Sequence, residues 1–177
     1  AVWPRSPEDG RDPTSWSTPC SRLVVRPVGG HRIWIDGMIW LFDTDAISEV
    51  LRPRPSEQYL AWLRTIPVDE QLTSSITVGE LYWEAFRSPA RARHLHNIDE
   101  RVLPALRMIA FDVPAARKYG ELKAALEARG TPLADADLQI AAIALVGGHE
   151  LVTGNVRHFS RVPGLRINTA LAAARPD

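Results

Sequence analysis

Cysteine is almost absent from the sequence, which has one such residue, Cys20, in 177. A single cysteine excludes an internal disulfide framework and is typical of a protein in a reducing cytosol. No apolar stretch reaches the roughly 20 residues that a membrane-spanning helix needs. The N-terminal segment has no secretory pattern, because proline and arginine interrupt its short apolar stretches. We therefore expect a soluble, cytoplasmic protein that does not bind membranes.

An excess of charge of either sign is also lacking, since 21 lysine and arginine residues balance 21 aspartate and glutamate residues. A general electrostatic attraction to nucleic acid is therefore not indicated. Binding to RNA or DNA requires instead a local basic surface or bound metal ions. The length of 177 residues is sufficient for one domain with a sizeable hydrophobic core.

Residues 1–37 lack the apolar periodicity of a helix or a strand and are rich in proline and glycine. We expect this segment to be a disordered or mis-called N-terminal extension, because Met38 is itself a possible start residue. A natural flexible tail is the alternative. Residues 38–177 carry regular patterns and have the length of one domain.

Strand-like and helical patterns alternate after Met38. This alternation predicts an α/β fold with three layers, in which helices flank a central, mainly parallel sheet of four or five strands. The strand-like segments are 39–43, 71–77, 107–111, 150–155 and, as a short fifth, 165–168. The helical segments are 44–51, 56–66, 78–86, 91–103, 114–130 and 135–148.

Carboxylates lie at or just after the ends of the predicted strands. Asp43 ends the first strand, Glu80 lies in the first turn after the second, and Asp135 and Asp137 begin a helix rich in small residues. The carboxyl ends of parallel strands meet at one edge of a sheet, so we expect these acids to lie close together. Two further polar residues end the fourth strand at the same edge: Thr153 and Asn155.

Acids that meet at one edge repel one another unless a cation neutralises them. Mg²⁺ and Mn²⁺ prefer carboxylate and water oxygens, and such an ion can polarise a phosphate and generate hydroxide near neutral pH. The pattern therefore favours metal-dependent hydrolysis of phosphodiesters. Ordinary capping of a helix by Asp135 and a dipole interaction of Glu80 are the alternatives.

The side chains of Asp135 and Asp137 are expected to point to different sides of the helix, because residues two positions apart lie about 200° apart around the helix axis. Asp137 shares a face with Ile140 and Ala141, on the side expected to pack on the sheet. We therefore expect Asp137 to bind the metal and Asp135 to cap the helix or support the site. Asp45 begins the first helix, where capping or dipole stabilisation is the expected role.

Four segments resemble, in order, the PIN domain of VapC-type toxins from bacterial toxin–antitoxin pairs: "LFDTDAISEVLRP", "SSITVGEL", "TPLADADLQIAAIAL" and "ELVTGNVRHFSRVPGLRI". The resemblance runs from Met38 to about Asn168. It implies a Mg²⁺- or Mn²⁺-dependent endoribonuclease that forms a homodimer and is neutralised by a cognate VapB-type antitoxin. Carried over by position, the metal-binding and catalytic acids are Asp43, Glu80 and Asp137.

The resemblance also bears on residues around these acids. Many relatives have a fourth acid near the position of Asn155, so the number of metal ions, one or two, stays open, and Asp135 is a candidate for the missing charge. Thr44 and Thr153 are candidate supporting residues for metal-bound water and for phosphate. Arg157 and Arg161 form a basic stretch that fits either RNA backbone or solvent.

Two other functions are compatible with the sequence. "LFDTDAI" resembles the nucleophile loop of haloacid dehalogenase-type phosphatases, with Asp43 as the nucleophile. That family requires Thr or Val at the position of Ile47 and a catalytic lysine that this chain places poorly. The second alternative is a degenerate PIN scaffold that acts only by binding a protein, which Asn155 favours.

Overall fold

Five short strands form one sheet in which every neighbouring pair is parallel. The structure, a computed structural model, describes residues 39–175, so the expected extension of residues 1–37 lies outside the described residues. The sheet has the order β3-β2-β1-β4-β5 and confirms the predicted parallel α/β fold. The strands are β1 Trp40–Phe42, β2 Gln71–Ser74, β3 Arg107–Ile109, β4 Glu150–Val152 and β5 Ile167–Asn168.

Eight α-helices lie between and after these strands in residues 39–175. A 3₁₀ turn, Val68–Glu70, precedes β2, and a π-helical turn, Ile98–Val102, extends the fourth helix. The helices are α1 Thr44–Leu51, α2 Glu57–Leu63, α3 Ser75–Arg87, α4 Arg91–Asn97, α5 Val113–Ala128, α6 Asp135–Gly147, α7 Val156–Phe159 and α8 Ala170–Ala173. None of these described helices is long and apolar enough to cross a membrane.

Consecutive side chains of the central strand β1 point to opposite faces of the sheet and enter two separate hydrophobic clusters. Phe42 packs in a cluster with residues of α1, α2 and α3. Leu41 packs in the other cluster with residues of α5 and α6. Both side chains are at most 1% exposed. The helices therefore cover both faces of the sheet, as the near-continuous apolar character of β1 predicts.

The boundary between β2 and α3 differs from the prediction. The strand predicted over 71–77 ends at Ser74, because the Ser74 hydroxyl accepts a hydrogen bond from the Thr77 backbone N–H at 2.9 Å and caps a helix. Glu80 therefore lies in the second turn of α3, and the placement in the first turn was wrong. Two short helices, α7 and α8, were not predicted.

Candidate active site

A cleft of about 550 Å³ opens where β1 and β4 end side by side. The strand order reverses at this pair, and the helices that follow pack on opposite faces of the sheet, α1 on one and α7 on the other. Parallel sheets form their sites at such reversals. The lining residues are Asp43, Thr44, Asp45, Ser48, Glu80, Glu84, Asp137, Ile140, Gly154 and Asn155.

Asp43 is buried at the floor of this cleft and caps α1. One carboxylate oxygen accepts a hydrogen bond from the Ala46 backbone N–H at 2.8 Å, and the Thr153 hydroxyl also bonds the carboxylate. Burial raises the pKa of Asp43 to about 7, helped by the charges of Asp45 and Asp137 and opposed by the two hydrogen bonds. Asp43, and not Asp45, therefore caps the helix.

Glu80 reaches the cleft from α3 and is oriented by a residue that follows Asp43. The Thr44 hydroxyl donates a hydrogen bond to Glu80 Oε2. Partial burial raises the pKa of Glu80, and the neighbouring charges of Asp137 and Glu84 act in the same direction. Thr44 therefore links the first and second predicted acids. Its hydroxyl bonds a carboxylate of the site and does not cap α1.

Asp137 enters the cleft from the first turn of α6. Burial raises the pKa of Asp137, and His158 opposes this shift from a distance of 3.6 Å between Nδ1 and Asp137 Oδ2. The same His158 nitrogen lies 2.9 Å from the Asn155 side-chain nitrogen. Asn155 and His158 thus form a polar chain that ends at Asp137. His158 was not selected from the sequence as a neighbour of Asp137.

Asp135 does not line the cleft. Its Oδ1 accepts hydrogen bonds from Lys123 Nζ at 2.6 Å and from the Tyr119 hydroxyl at 2.9 Å. The hydrogen bond from Lys123 is the largest cause that lowers the pKa of Asp135. The cap of α6 is Ala134, which has no capping side chain, so the expectation that Asp135 caps this helix was wrong.

The remaining predicted residues fall into two groups. Thr153 is fully buried beneath the cleft, where its hydroxyl bonds Asp43 and accepts from the Asn155 backbone N–H at 2.9 Å. Arg157 and Arg161 are exposed and do not line the cleft. The buried threonine supports a carboxylate, whereas Arg157 is exposed on α7 and Arg161 is exposed just after it.

Glu84 lines the cleft although the sequence reading did not select it. It lies one turn after Glu80 on α3, so the spacing of four residues placed both carboxylates on one face of the helix. This spacing was the signal that could have identified it. Asp45 also lines the cleft, but a bidentate ion pair with Arg175 neutralises its charge.

Negative charge predominates in the cleft. Among the lining residues that the structure describes, five are carboxylates and none is lysine or arginine. Within residues 39–175, no three acidic, histidine or cysteine side chains are close enough to form a complete metal-binding group. The chemistry of the donors nevertheless fits a hard divalent cation, because carboxylate oxygens face one cavity and burial raises the pKa of three of them.

A three-layer α/β fold whose parallel sheet carries an acidic cleft at its reversal point is compatible with a metal-dependent nuclease domain, and comparisons with known proteins identify the family. The model of the PIN domain family matches residues 40–165. The VapC ribonuclease Y4jK of Sinorhizobium fredii is 33% identical over 124 residues, which are 67% of this chain and 89% of that protein. Toxin FitB of Neisseria gonorrhoeae is 36% identical over 109 residues, which are 59% of this chain and 78% of that protein.

Solved structures give the same result. The DNA-bound VapBC structure from Salmonella typhimurium superposes with a TM-score of 0.68 at 31% identity, covering 74% of this chain and 97% of that chain. The chain therefore belongs to the PIN-domain family and, within it, to the VapC-type toxins. The matched segment contains all three predicted acids, and it gives no support to the phosphatase alternative.

Proposed function

We propose that this protein is the toxin of a type II toxin–antitoxin system, an endoribonuclease of the cytoplasm that hydrolyses phosphodiester bonds of RNA with Mg²⁺ or Mn²⁺. The observation that carries the proposal is the cleft at the ends of β1 and β4, where Asp43, Glu80 and Asp137 converge and the described part of the chain contributes no lysine or arginine to the lining. Family membership supports the same activity, since one relative is named a VapC ribonuclease and another a tRNA(fMet)-specific endonuclease.

Asp43, Glu80 and Asp137 are the residues that would hold the metal. When bound, a divalent ion would lower the pKa of a water molecule and stabilise the negative charge that develops on the phosphate. The protein contributes rigid placement of the carboxylates. Hydrogen bonds from the Thr153 hydroxyl and the Ala46 N–H hold Asp43. The hydroxyl of Thr44, which follows Asp43 in the chain, holds Glu80.

The surface beyond the cleft would position the RNA. Arg157 and Arg161 are exposed on the chain segment that leaves β4 through Asn155, which itself lines the cleft. Guanidinium groups there can bind phosphates of the RNA backbone on either side of the scissile bond. Such contacts orient the strand without reading its bases. Asp135, which is paired with Lys123, has no place in this mechanism.

A VapB-type antitoxin is the proposed protein partner, because several similar structures are titled as toxin–antitoxin complexes. A second groove, of about 350 Å³, adjoins the cleft and shares Ser48 and Glu84 with it. Leu51, Leu81 and Ile98 contribute apolar surface to this groove. An apolar segment of an antitoxin bound here would lie beside the acids and obstruct access to them.

A homodimer is the proposed assembly of the toxin itself. Trp83 and Phe86 on α3 expose 58% and 53% of their surface, which is unusual for large apolar side chains and supports an association surface. Arginine side chains lie over both rings. Light scattering of the purified toxin would measure the mass directly, and a monomer at all concentrations would contradict the dimer.

Cleavage of RNA by matched variants of α6 tests the proposal. Asp137→Asn should reduce metal-dependent cleavage at least about 100-fold, because it removes a charge that faces the cleft. Asp135→Asn should stay within about twofold of the wild type, since its partner is Lys123. Product formation from cellular RNA, measured after EDTA treatment and addition of Mn²⁺, provides the comparison.

The same assay distinguishes a ribonuclease from a degenerate PIN scaffold that acts only by binding a protein. Equal cleavage by the wild type and Asp137→Asn would remove Asp137 from the mechanism. Absence of cleavage by a folded wild-type toxin that still binds its antitoxin would favour a degenerate PIN scaffold, the possibility that Asn155 raises.

A further inference from the structure

Asp45 is the one carboxylate of the cleft lining that an arginine neutralises within residues 39–175. Arg175 follows α8, 130 positions after Asp45 in the chain. Its Nη1 and Nη2 donate to Asp45 Oδ2 and Oδ1, each at 2.8 Å. Both oxygens of the carboxylate are therefore engaged by one guanidinium group in a bidentate pair, the strongest form of this interaction.

A second carboxylate holds Arg175 in place independently of Asp45. Glu49 is 2% exposed, and its Oε2 accepts from Arg175 Nε at 3.1 Å and from Nη2 at 2.9 Å. Glu49 Oε1 accepts from the Ser56 backbone N–H at 2.9 Å. The guanidinium group is therefore anchored to a buried, hydrogen-bonded acid on α1, and it can keep its position when Asp45 loses its charge.

The Asp45–Arg175 pair packs closely against the backbone of Gly154, which also lines the cleft. A Cβ atom at position 154 would lie 2.3 Å from Asp45 Oδ2 and 2.7 Å from Arg175 Nη1. The pair therefore rests on the backbone between Thr153 and Asn155. It joins α1, which Asp43 caps, to the loop that supplies the Thr153 hydrogen bond to Asp43.

We propose that Arg175 is a positioning residue that withholds Asp45 from the metal site, so that Asp45 does not join Asp43, Glu80 and Asp137 in binding the cation. The inference rests on the proposed metal-dependent function. Arg175 cancels the charge of a carboxylate two residues from Asp43 and occupies both of its oxygens. Asp45 faces the same cavity as the three acids and Glu84, and without Arg175 it adds a fifth free carboxylate there.

Calorimetric titration of the metal-free protein with Mn²⁺, at one pH and one ionic strength, tests this proposal. Arg175→Gln should bind Mn²⁺ about three- to tenfold more tightly, because the unpaired negative charge of Asp45 then attracts the cation. Solvent screens part of this attraction, which keeps the expected gain small. Asp45→Asn should bind it more weakly by a similar factor, since Arg175 stays on Glu49. Arg175→Lys keeps the positive charge and should stay within about twofold of the wild type.

The double variant Asp45→Asn with Arg175→Gln distinguishes charge compensation from simple loss of structure. It removes both charges, so its Mn²⁺ affinity should return to within about twofold of the wild type. A purely structural role of Arg175 predicts that the double variant is at least as impaired as either single one. Circular dichroism and thermal unfolding accompany each titration to verify the fold.

Unchanged or weaker Mn²⁺ binding by folded Arg175→Gln, beside normal binding by the wild type, overturns the inference and leaves the proposed function intact. Absence of Mn²⁺ binding by the wild type overturns both. Should Arg175→Gln not fold, Arg175→Met gives the same test, because it also removes the guanidinium charge from Asp45. Tighter binding is expected there too, and unchanged binding contradicts the proposal.

Discussion

At the scale of single residues, the surroundings of a carboxylate separate acids that look alike in the sequence. Asp43 and Asp45 are two positions apart and both line the cleft. Asp43 is buried with two hydrogen bonds and has no cationic partner among residues 39–175, whereas Asp45 is bound by Arg175. Their different surroundings agree with the expectation of two different roles. The assignment of Asp43 as a metal ligand stays a prediction.

Metal-free protein should become less stable as pH rises through the range in which Asp43 titrates. Its pKa of about 7 in the folded state exceeds the usual 3.8, so the folded protein binds more protons than the unfolded chain between these values. The free energy of unfolding therefore falls from about pH 4 to pH 7. One pKa unit corresponds to about 1.4 kcal/mol, so the loss from this residue amounts to a few kcal/mol.

Asp43→Asn removes this titration while keeping a side chain that caps helices well. Urea unfolding at several pH values between 5 and 8, in EDTA, should show a flatter profile and a more stable variant at pH 8. Glu80 and Asp137 are shifted in the same direction, so some pH dependence will persist. Identical profiles for the variant and the wild type would contradict the environment assigned to Asp43.

At the scale of secondary-structure elements, short side chains determine where several helices begin. Ser56 caps α2, Ser74 caps α3 and Asp112 caps α5, each by accepting a hydrogen bond from the backbone N–H three residues later. The helix predicted over 56–66 starts at Ser56, because two prolines just before this residue interrupt the preceding helical pattern. Ser74 was missed because the β-branched residues Ile76 and Thr77 extend the strand-like pattern beyond it.

Ser74→Ala should destabilise the protein by about 1–2 kcal/mol, because it removes the cap of α3 and leaves the buried Thr77 hydroxyl without its 2.9 Å partner. Chemical denaturation at neutral pH measures this loss. Ser160→Ala serves as the control, since its exposed hydroxyl bonds the Arg157 carbonyl near the protein surface and the change should stay within about 0.5 kcal/mol. Equal effects of both variants would argue against the capping role.

At the scale of the whole molecule, strand order assembles the cleft from distant parts of the chain. β1 lies between β2 and β4, so Asp43 comes to the edge where Glu80 and Asp137 also arrive. No cation of the described lining offsets these acids. The unbalanced charge destabilises the folded protein until a counter-ion binds.

Mn²⁺ should therefore raise the melting temperature of the wild type. Binding to the folded state alone stabilises it by about 2.7 kcal/mol at a free concentration 100 times the dissociation constant. Asp137→Asn should show a much smaller rise because it loses a proposed ligand. Scanning calorimetry with and without Mn²⁺, and with Ca²⁺ for comparison, measures the effect. An equal rise in wild type and Asp137→Asn would place the bound ion elsewhere.

Much of the architecture could be predicted because its signals are local. Apolar runs and helical periodicity identified the five strands and most helices, and their alternation indicated the parallel sheet. The sequence also predicted that Asp43, Glu80 and Asp137 lie close together, and the structure places all three in one cleft. The short helices α7 and α8 were missed because four residues are too few to show a helical period.

The sequence by itself determined which elements form and which edge of the sheet carries the acids, because hydrogen bonding and apolar period act over a few neighbouring residues. Only the tertiary structure decided which acids remain uncompensated. Asp135 meets Lys123 across two packed helices, and Arg175 reaches Asp45 from 130 positions away. Such pairings depend on how the layers pack together, and no local pattern around either residue contains that information.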